Sequence, residues 1–260
     1  MNLLKADFYQ MVREKLLYVL MLALAALSFL VCYVYSSLDA YADMTAGEAV
    51  LKCIGSDTLC TVVGIAIAFL CGREYELNTI RNKICCGESR YKILFTKLIE
   101  GFVIAAVLFT VAVGSGLVAG NLWFVWEFRE DFWKILGCQG LIVLAFVCVV
   151  TSLCVLTKNV RIPLITVIVC FVVLNPLSIF MPSMIDNEIV PLICRGVYMI
   201  ASNMLLNSTD GVYEAVQQSQ EGIITYAYED LYLNCILIAV CYLVISLSVS
   251  ILVMRKQEYK

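Results

Sequence analysis

The chain is 260 residues long, 62% hydrophobic and only 15% charged, with a formal net charge of −3. A water-soluble domain runs about 45–50% apolar and about 25% charged, so one soluble core of this size could not hide so much apolar surface. The bilayer is the solvent that fits; the composition points to an integral membrane protein with no nucleic-acid partner.

Residues 1–15, MNLLKADFYQMVREK, place Leu4, Phe8, Met11 and Val12 on one helical stripe and Lys5, Asp7, Arg13 and Glu14 elsewhere. That pattern predicts an amphipathic helix lying on the membrane surface. It is too polar, and too closely followed by a full-length span, to read as a cleaved signal peptide. Six stretches then qualify as spanning helices, at 16–36, 58–72, 98–126, 135–156, 162–181 and 232–254. The second is short, so its ends must borrow neighbours such as Asp57 or Arg73 at the interface. The third is long enough to tilt, or to bend at Gly114, Gly116 or Gly120.

Between the second and third spans, residues 73–97 read REYELNTIRNKICCGESRYKILFTK and carry six basic side chains. This stretch is too charged to be buried in lipid and too long for a minimal turn. It predicts a helix–turn–helix elbow, with the turn at Gly87 and Ser89 capping the next helix. A plain alternative is a basic juxtamembrane loop that sets topology or touches anionic lipid. Trp123, Trp126 and Trp133 cluster where an aromatic belt would lie. The turn at 157–161, TKNVR, is short and basic, and Asn175-Pro176 predicts a kink in the fifth span. Residues 182–231 are apolar enough to suggest a seventh span. Arg195 would be costly at bilayer depth, so an outer re-entrant or interfacial hairpin of short helices is the better expectation.

Loop charge sets the orientation. With both termini cytoplasmic, fourteen of the eighteen basic residues lie inside, and only Lys52, Arg129, Lys134 and Arg195 lie outside. The positive-inside rule favours that arrangement, in a multi-pass protein of the cell membrane. Most of the thirteen cysteines, among them Cys32, Cys60, Cys71, Cys148 and Cys235, fall in apolar runs and read as small hydrophobes. Cys85 and Cys86 fall in the elbow, where a reducing cytosol would keep them as thiols. Cys53 and Cys194 are placed outside, which leaves one external disulfide open.

Absences narrow the chemistry. The chain has no histidine, which excludes HExxH zinc proteases, haem-ligating bundles and Ser-His hydrolases. It has no GxxxxGK[ST] phosphate loop. Glu100, about one turn inside the third span, is the exception among almost uncharged spans. A membrane-embedded enzyme would have to rely on it alone, without a partner acid or base.

The order Glu74, Glu76, Thr79, Ile80, Arg81, then Gly87, Ser89, Arg90 and finally Lys97 resembles the first cytoplasmic connection of type-2 ABC permeases. Those proteins show an acidic residue ending the second span, a Gly-Thr-Leu-Arg-like step, a Ser-Arg, and a Lys leading into the third. Asn78 stands where that family often has glycine. The amphipathic first helix, six spans and outer hairpin resemble the family over the whole chain. The resemblance implies an all-α polytopic fold in a single transmembrane domain, 1–260, without a catalytic residue, metal or bound cofactor of its own. ATP and Mg would belong to a separate ABC ATPase subunit docking on the elbow as a coupling helix.

Under that resemblance Glu74, Glu76, Arg81 and Arg90 would make register-setting charged contacts, and Ile84, Tyr91 and Ile93 would be apolar anchors. Thr79, Ser89 and Lys97 complete the motif, and Lys158 and Arg161 would form a second, smaller contact. The working unit would pair two permeases, a homodimer or two related chains, in membrane lipid. An apolar cavity would suit amphipathic or hydrophobic cargo, with a preference for peptides. In this the chain resembles bacterial peptide and toxin exporters such as the phenol-soluble modulin exporters. Small drugs or polysaccharide as cargo, and a non-catalytic scaffold or assembly protein, are the alternatives. No capture domain is evident, which leans towards export.

Overall fold

The computed structural model describes residues 2–38, 44–77, 79–180, 197–208, 212–219 and 222–258. The chain opens with α1 (Asn2–Arg13). Its backbone leaves the helix at Glu14 (φ −73°, ψ 112°) and re-enters it as α2 (Lys15–Ser36). The apolar residues of α1 do not all face the protein. Phe8 and Val12 are exposed, whereas Asp7 and Met11 are buried. An interfacial helix that offers its apolar edge to lipid and one carboxylate to the protein has this pattern. On α2 only Leu17, Leu24, Ser28 and Cys32 are buried, a single narrow stripe. Leu20, Met21, Phe29, Val31 and Tyr35 flank that stripe half-buried, and the opposite surface, Leu22 and Leu30 included, is open, as lipid contact requires.

A short helix that the sequence reading left as external loop follows, α3 (Ala46–Cys53). Thr45 and Glu48 close its N-terminus as a capping box, and its first amides also bond to the chain after α6, Ala46 N–H to Val125 O and Gly47 N–H to Glu127 O. Its Ala46, Gly47, Ala49 and Val50 are buried. They pack where Gly116 and Gly120 let two backbones approach closely. After a break at Gly55 the chain continues as α4 (Ser56–Glu76). The short span expected at 58–72 thus runs further at both ends. Together with α3 it makes a 31-residue apolar segment, Ala46–Glu76.

The remaining elements are α5 (Thr79–Cys85), α6 (Arg90–Trp123), α7 (Phe132–Thr157), α8 (Arg161–Phe180), α9 (Tyr198–Leu206), β1 (Tyr213–Ser219), β2 (Gly222–Tyr228) and α10 (Leu231–Glu258). Among the described residues five segments are long and apolar enough to cross a bilayer: α2, the α3–α4 pair, α6, α7 and α10. The fifth expected span, 162–181, corresponds to α8, whose apolar stretch Arg161–Leu177 is shorter. Pro176 lies within that helix rather than ending it.

The centre of the bundle is α4 against α7. Leu59, Val63, Ala66 and Ile67 are fully buried, and Gly64 lets Phe146 and Val167 close over the backbone. Ser152 ties α7 to α10, donating to Ser246 O at 3.0 Å and accepting from Ser250 Oγ at 2.7 Å. The end of the bundle where α6 stops and α7 begins carries the aromatic edge expected of the tryptophans, with Trp123, Trp126 and Trp133 all exposed.

For 182–231 the expectation was a hairpin of short helices, and the described part is mixed. Helix α9 packs among α4, α7, α8 and α10, with Ile200, Ala201, Met204 and Leu205 almost fully buried. It is followed by an antiparallel ribbon that pairs Tyr213 with Tyr228 and Ser219 with Gly222. Arg195 and Cys194 lie outside the described residues. The buried Gln139 of α7 fixes α9. Its Nε2 donates to Ser202 O at 3.2 Å, and its Oε1 accepts from Ser202 Oγ at 2.7 Å. Gln139→Leu is expected to lower unfolding stability in detergent by about 1–3 kcal/mol, because it orphans buried polar groups on α9. An unchanged SDS-unfolding midpoint would refute that attachment.

Candidate functional site

The elbow forms as its residues dictate. Helix α5 ends in two characteristic hydrogen bonds, Glu88 N–H to Lys83 O at 3.2 Å and Gly87 N–H to Ile84 O at 2.9 Å. This left-handed stop needs a positive φ, and Gly87 supplies it at +89° with no side chain to strain. Ser89 then caps α6, accepting the Lys92 N–H at 3.3 Å. At the other end Thr79 Oγ1 donates to Glu74 O at 2.8 Å, closing the step from α4 into α5. Both the turn and the cap fall where the sequence placed them.

The inner side of the elbow is an ion cluster drawn from four helices. Lys97 of α6 is hydrogen-bonded to Glu74 of α4 and, at 2.6 Å, to Glu100 of its own helix. Its Nζ also lies 3.4 Å from Asp7 Oδ2 of α1. Lys83 of α5 bridges Asp7 and Glu74 at 2.8 Å each. Asp7, Glu74, Lys97 and Glu100 are each no more than 5% exposed. Three carboxylates around two ammonium groups pin the interfacial helix to the root of the elbow. The three carboxylates come close enough together to hold a metal ion, but the Lys97 ammonium already occupies the position of the cation among them.

This changes the roles expected of single residues. Glu74 and Lys97 point inward and bind helix to helix, so neither offers a charge at the surface. Ile93, expected as an apolar anchor for a partner, is 2% exposed and belongs to the core. Asp7 and Lys83 went unassigned. The available signal was a lone acid on the polar side of α1, but nothing in the sequence tells which distant lysines it would meet.

The outer side of the elbow keeps Arg81 exposed and Ile84, Arg90 and Tyr91 half-buried. Glu76 is exposed at the end of α4, yet its Oε1 accepts the Val160 N–H at 3.1 Å. That bond reaches across to the 157–161 turn. Gly72 lies against the same residue, so close that a Cβ there would come within 2.8 Å of Val160 Cα. Lys158 holds a left-handed conformation at the C-cap of α7 (φ 52°), and both Lys158 and Arg161 are exposed. The two short connections, distant in sequence, therefore meet on one face at the same end of the bundle. Asn78 lies outside the described residues.

The family model for the ABC-2 family transporter protein matches residues 3–175, from α1 through most of α8 and across the whole elbow. No curated protein matches the chain.

Proposed function

The chain belongs to the ABC-2 transporter family, and from that premise we propose that it is the permease of an ATP-driven exporter whose ATPase docks on the elbow and the 157–161 turn. A permease of this family is the transmembrane component and works with an ABC ATPase partner. The chain is a multi-pass membrane protein on the same ground. What we add is the place of docking, the orientation, the pairing of two permeases and the cargo.

One observation carries the docking site. The Glu76–Val160 hydrogen bond, with Val160 packed on Gly72, joins two separate connections into a single surface. Arg81, Lys158 and Arg161 are exposed on these connections, while the ion pairs of the buried cluster behind them tie α1, α4, α5 and α6 to one another. A force applied by a partner at this face would reach the spans directly. The cationic rim suits an acidic groove, and Ile84 and Tyr91 offer apolar contact beside it. Termini inside and the elbow in the cytosol follow from the loop charges. Six spans, with α8 as the fifth, would make one half of a paired unit, and its nearly uncharged walls suit amphipathic peptides as cargo.

The decisive experiment is a mild-detergent pull-down from native membranes. A co-purifying ABC ATPase is expected, and Arg81→Glu combined with Arg161→Glu should reduce its recovery about tenfold, equivalent to about 1.4 kcal/mol. These exposed changes should leave thermal stability within about 0.5 kcal/mol of the unchanged chain. Undiminished ATPase recovery would remove the docking surface from the proposal. A chain that purifies without any ATPase would leave the scaffold reading. With the complex in hand, amphipathic peptides should stimulate ATP hydrolysis, and their failure to do so would argue against peptide cargo.

A further inference from the structure

The sequence left Cys53 as a candidate for an external disulfide with Cys194. The structure offers it a different partner. Cys53, the last residue of α3, places its Sγ 3.5 Å from Cys32 Sγ, one turn before the end of α2. Both thiols are buried, Cys32 completely and Cys53 at 6% exposure. The Cys53 thiol also donates to Ser28 O at 3.6 Å, which holds it on the face of α2 that carries Cys32. Around them Ala49, Ala119 and Met44 make a small cluster separate from the main core. Because Gly116 lies beside Cys53, the backbone of α6 approaches closely, and α3 is held against α2 from behind.

We propose that Cys32 and Cys53 are a disulfide-forming pair that cross-links α2 to α3. Sulfur atoms in van der Waals contact need only a side-chain adjustment to reach bonding distance, given that the flanking Cα positions are already set by packed helices. The pair lies at the end of the bundle opposite the elbow. In the orientation of the proposed function that end faces the exterior, where disulfides persist.

The chemistry is thiol–disulfide exchange with a small external disulfide. The Cys53 thiolate, the less buried of the two, attacks one sulfur of that molecule. The external S–S bond breaks, one thiolate leaves and is protonated, and a mixed disulfide remains on Cys53. The Cys32 thiolate then attacks the Cys53 sulfur and expels the second thiolate, which is also protonated. Two protein thiols are oxidised to one disulfide while the external disulfide is reduced to two thiols. The bond would close a loop that contains the α2–α3 connection, and so tie the outer end of the edge helix α2 to the helix that leads into α4.

The test treats the full chain, purified in mild detergent, with 2-hydroxyethyl disulfide, followed by alkylation and peptide mapping without reduction. The expected result is a peptide linking Cys32 to Cys53 with neither cysteine alkylated, alongside mixed disulfides at the exposed Cys85 and Cys86. Cys32→Ser and Cys53→Ser should each abolish that peptide, and the mapping stands on the unmodified chain even if a variant folds poorly. If both cysteines remain thiols, or link to other residues, while the exposed Cys85 and Cys86 are oxidised, the proposal is overturned. A parallel sample alkylated in freshly isolated membranes separates the pairing from the orientation. A linked pair there supports both. A pair that links only after purification supports the pairing and overturns the outward placement of this end.

Discussion

Replacing Lys97 with methionine is expected to destabilise the chain by about 3–5 kcal/mol, more than any other single change considered. The substitution keeps length and bulk but removes the ammonium group that faces three buried carboxylates. Glu100 loses its 2.6 Å partner, and Glu74 and Asp7 are left with Lys83 alone. A buried pair contributes little net stability over an apolar replacement of both members, but removing one member strands the other in a medium that cannot solvate it. The result should be read from SDS-unfolding midpoints and from the fraction still monodisperse after heating in detergent. Lys92→Ala is the control. Lys92 pairs with Glu88 at 2.6 Å, shorter than many strong bonds, yet it is 47% exposed, so its loss should change stability by less than about 1 kcal/mol. If the two variants unfold alike, the cluster does not hold the elbow together. Glu74→Gln combined with Lys97→Met should be less damaging than the sum of the two single changes, because each partly relieves what the other strands.

How much of this was readable beforehand depends on whether the deciding interaction is local. Gly87 and Ser89 could be placed from sequence because a left-handed helix stop and a serine cap are decided within a few residues. The long apolar runs were equally clear, since hydropathy needs no partner. The boundaries of the second span were not. Helix α3 looks like a polar loop in isolation, with Glu48 and Lys52 inside eight residues. Its burial comes from small residues meeting Gly116 and Gly120, two segments away. The same holds at the elbow. Glu74 and Lys97 resemble surface charges in a charged stretch, and their inward turn depends on Asp7, far away on α1. The Cys32–Cys53 approach is also a tertiary fact, because the two cysteines belong to helices whose relative placement no local pattern encodes. Family resemblance identified the elbow as a unit and put its end residues on the outside. The structure keeps the unit and turns those ends inward.

Gly72→Val supplies the second large effect, and it separates packing from docking. A Cβ at position 72 would lie 2.8 Å from Val160 Cα and 3.2 Å from Val160 N, both backbone atoms. A flexible side chain could swing away, but a backbone turn has to lift. Lifting Val160 stretches the 3.1 Å bond from its amide to Glu76, so the contact between the two connections fails along with the packing. Overpacking of this kind should lower stability by about 1–3 kcal/mol. ATPase recovery should fall about as far as in the Arg81→Glu and Arg161→Glu variant, although Gly72 carries no charge and is itself buried. Val160→Ala should not rescue the defect, because it clears Cγ2 at 3.0 Å and leaves Cα where it was. Gly114→Val is the matched control. Nothing approaches a Cβ there within 4 Å, so it should be nearly neutral for both stability and ATPase recovery. If Gly72→Val lost stability but kept its ATPase, the two connections would be packed together without being read together. Docking would then rest on the elbow alone. If it kept its stability and lost the ATPase, the alignment of the two turns, rather than the charge they display, would be what the partner recognises.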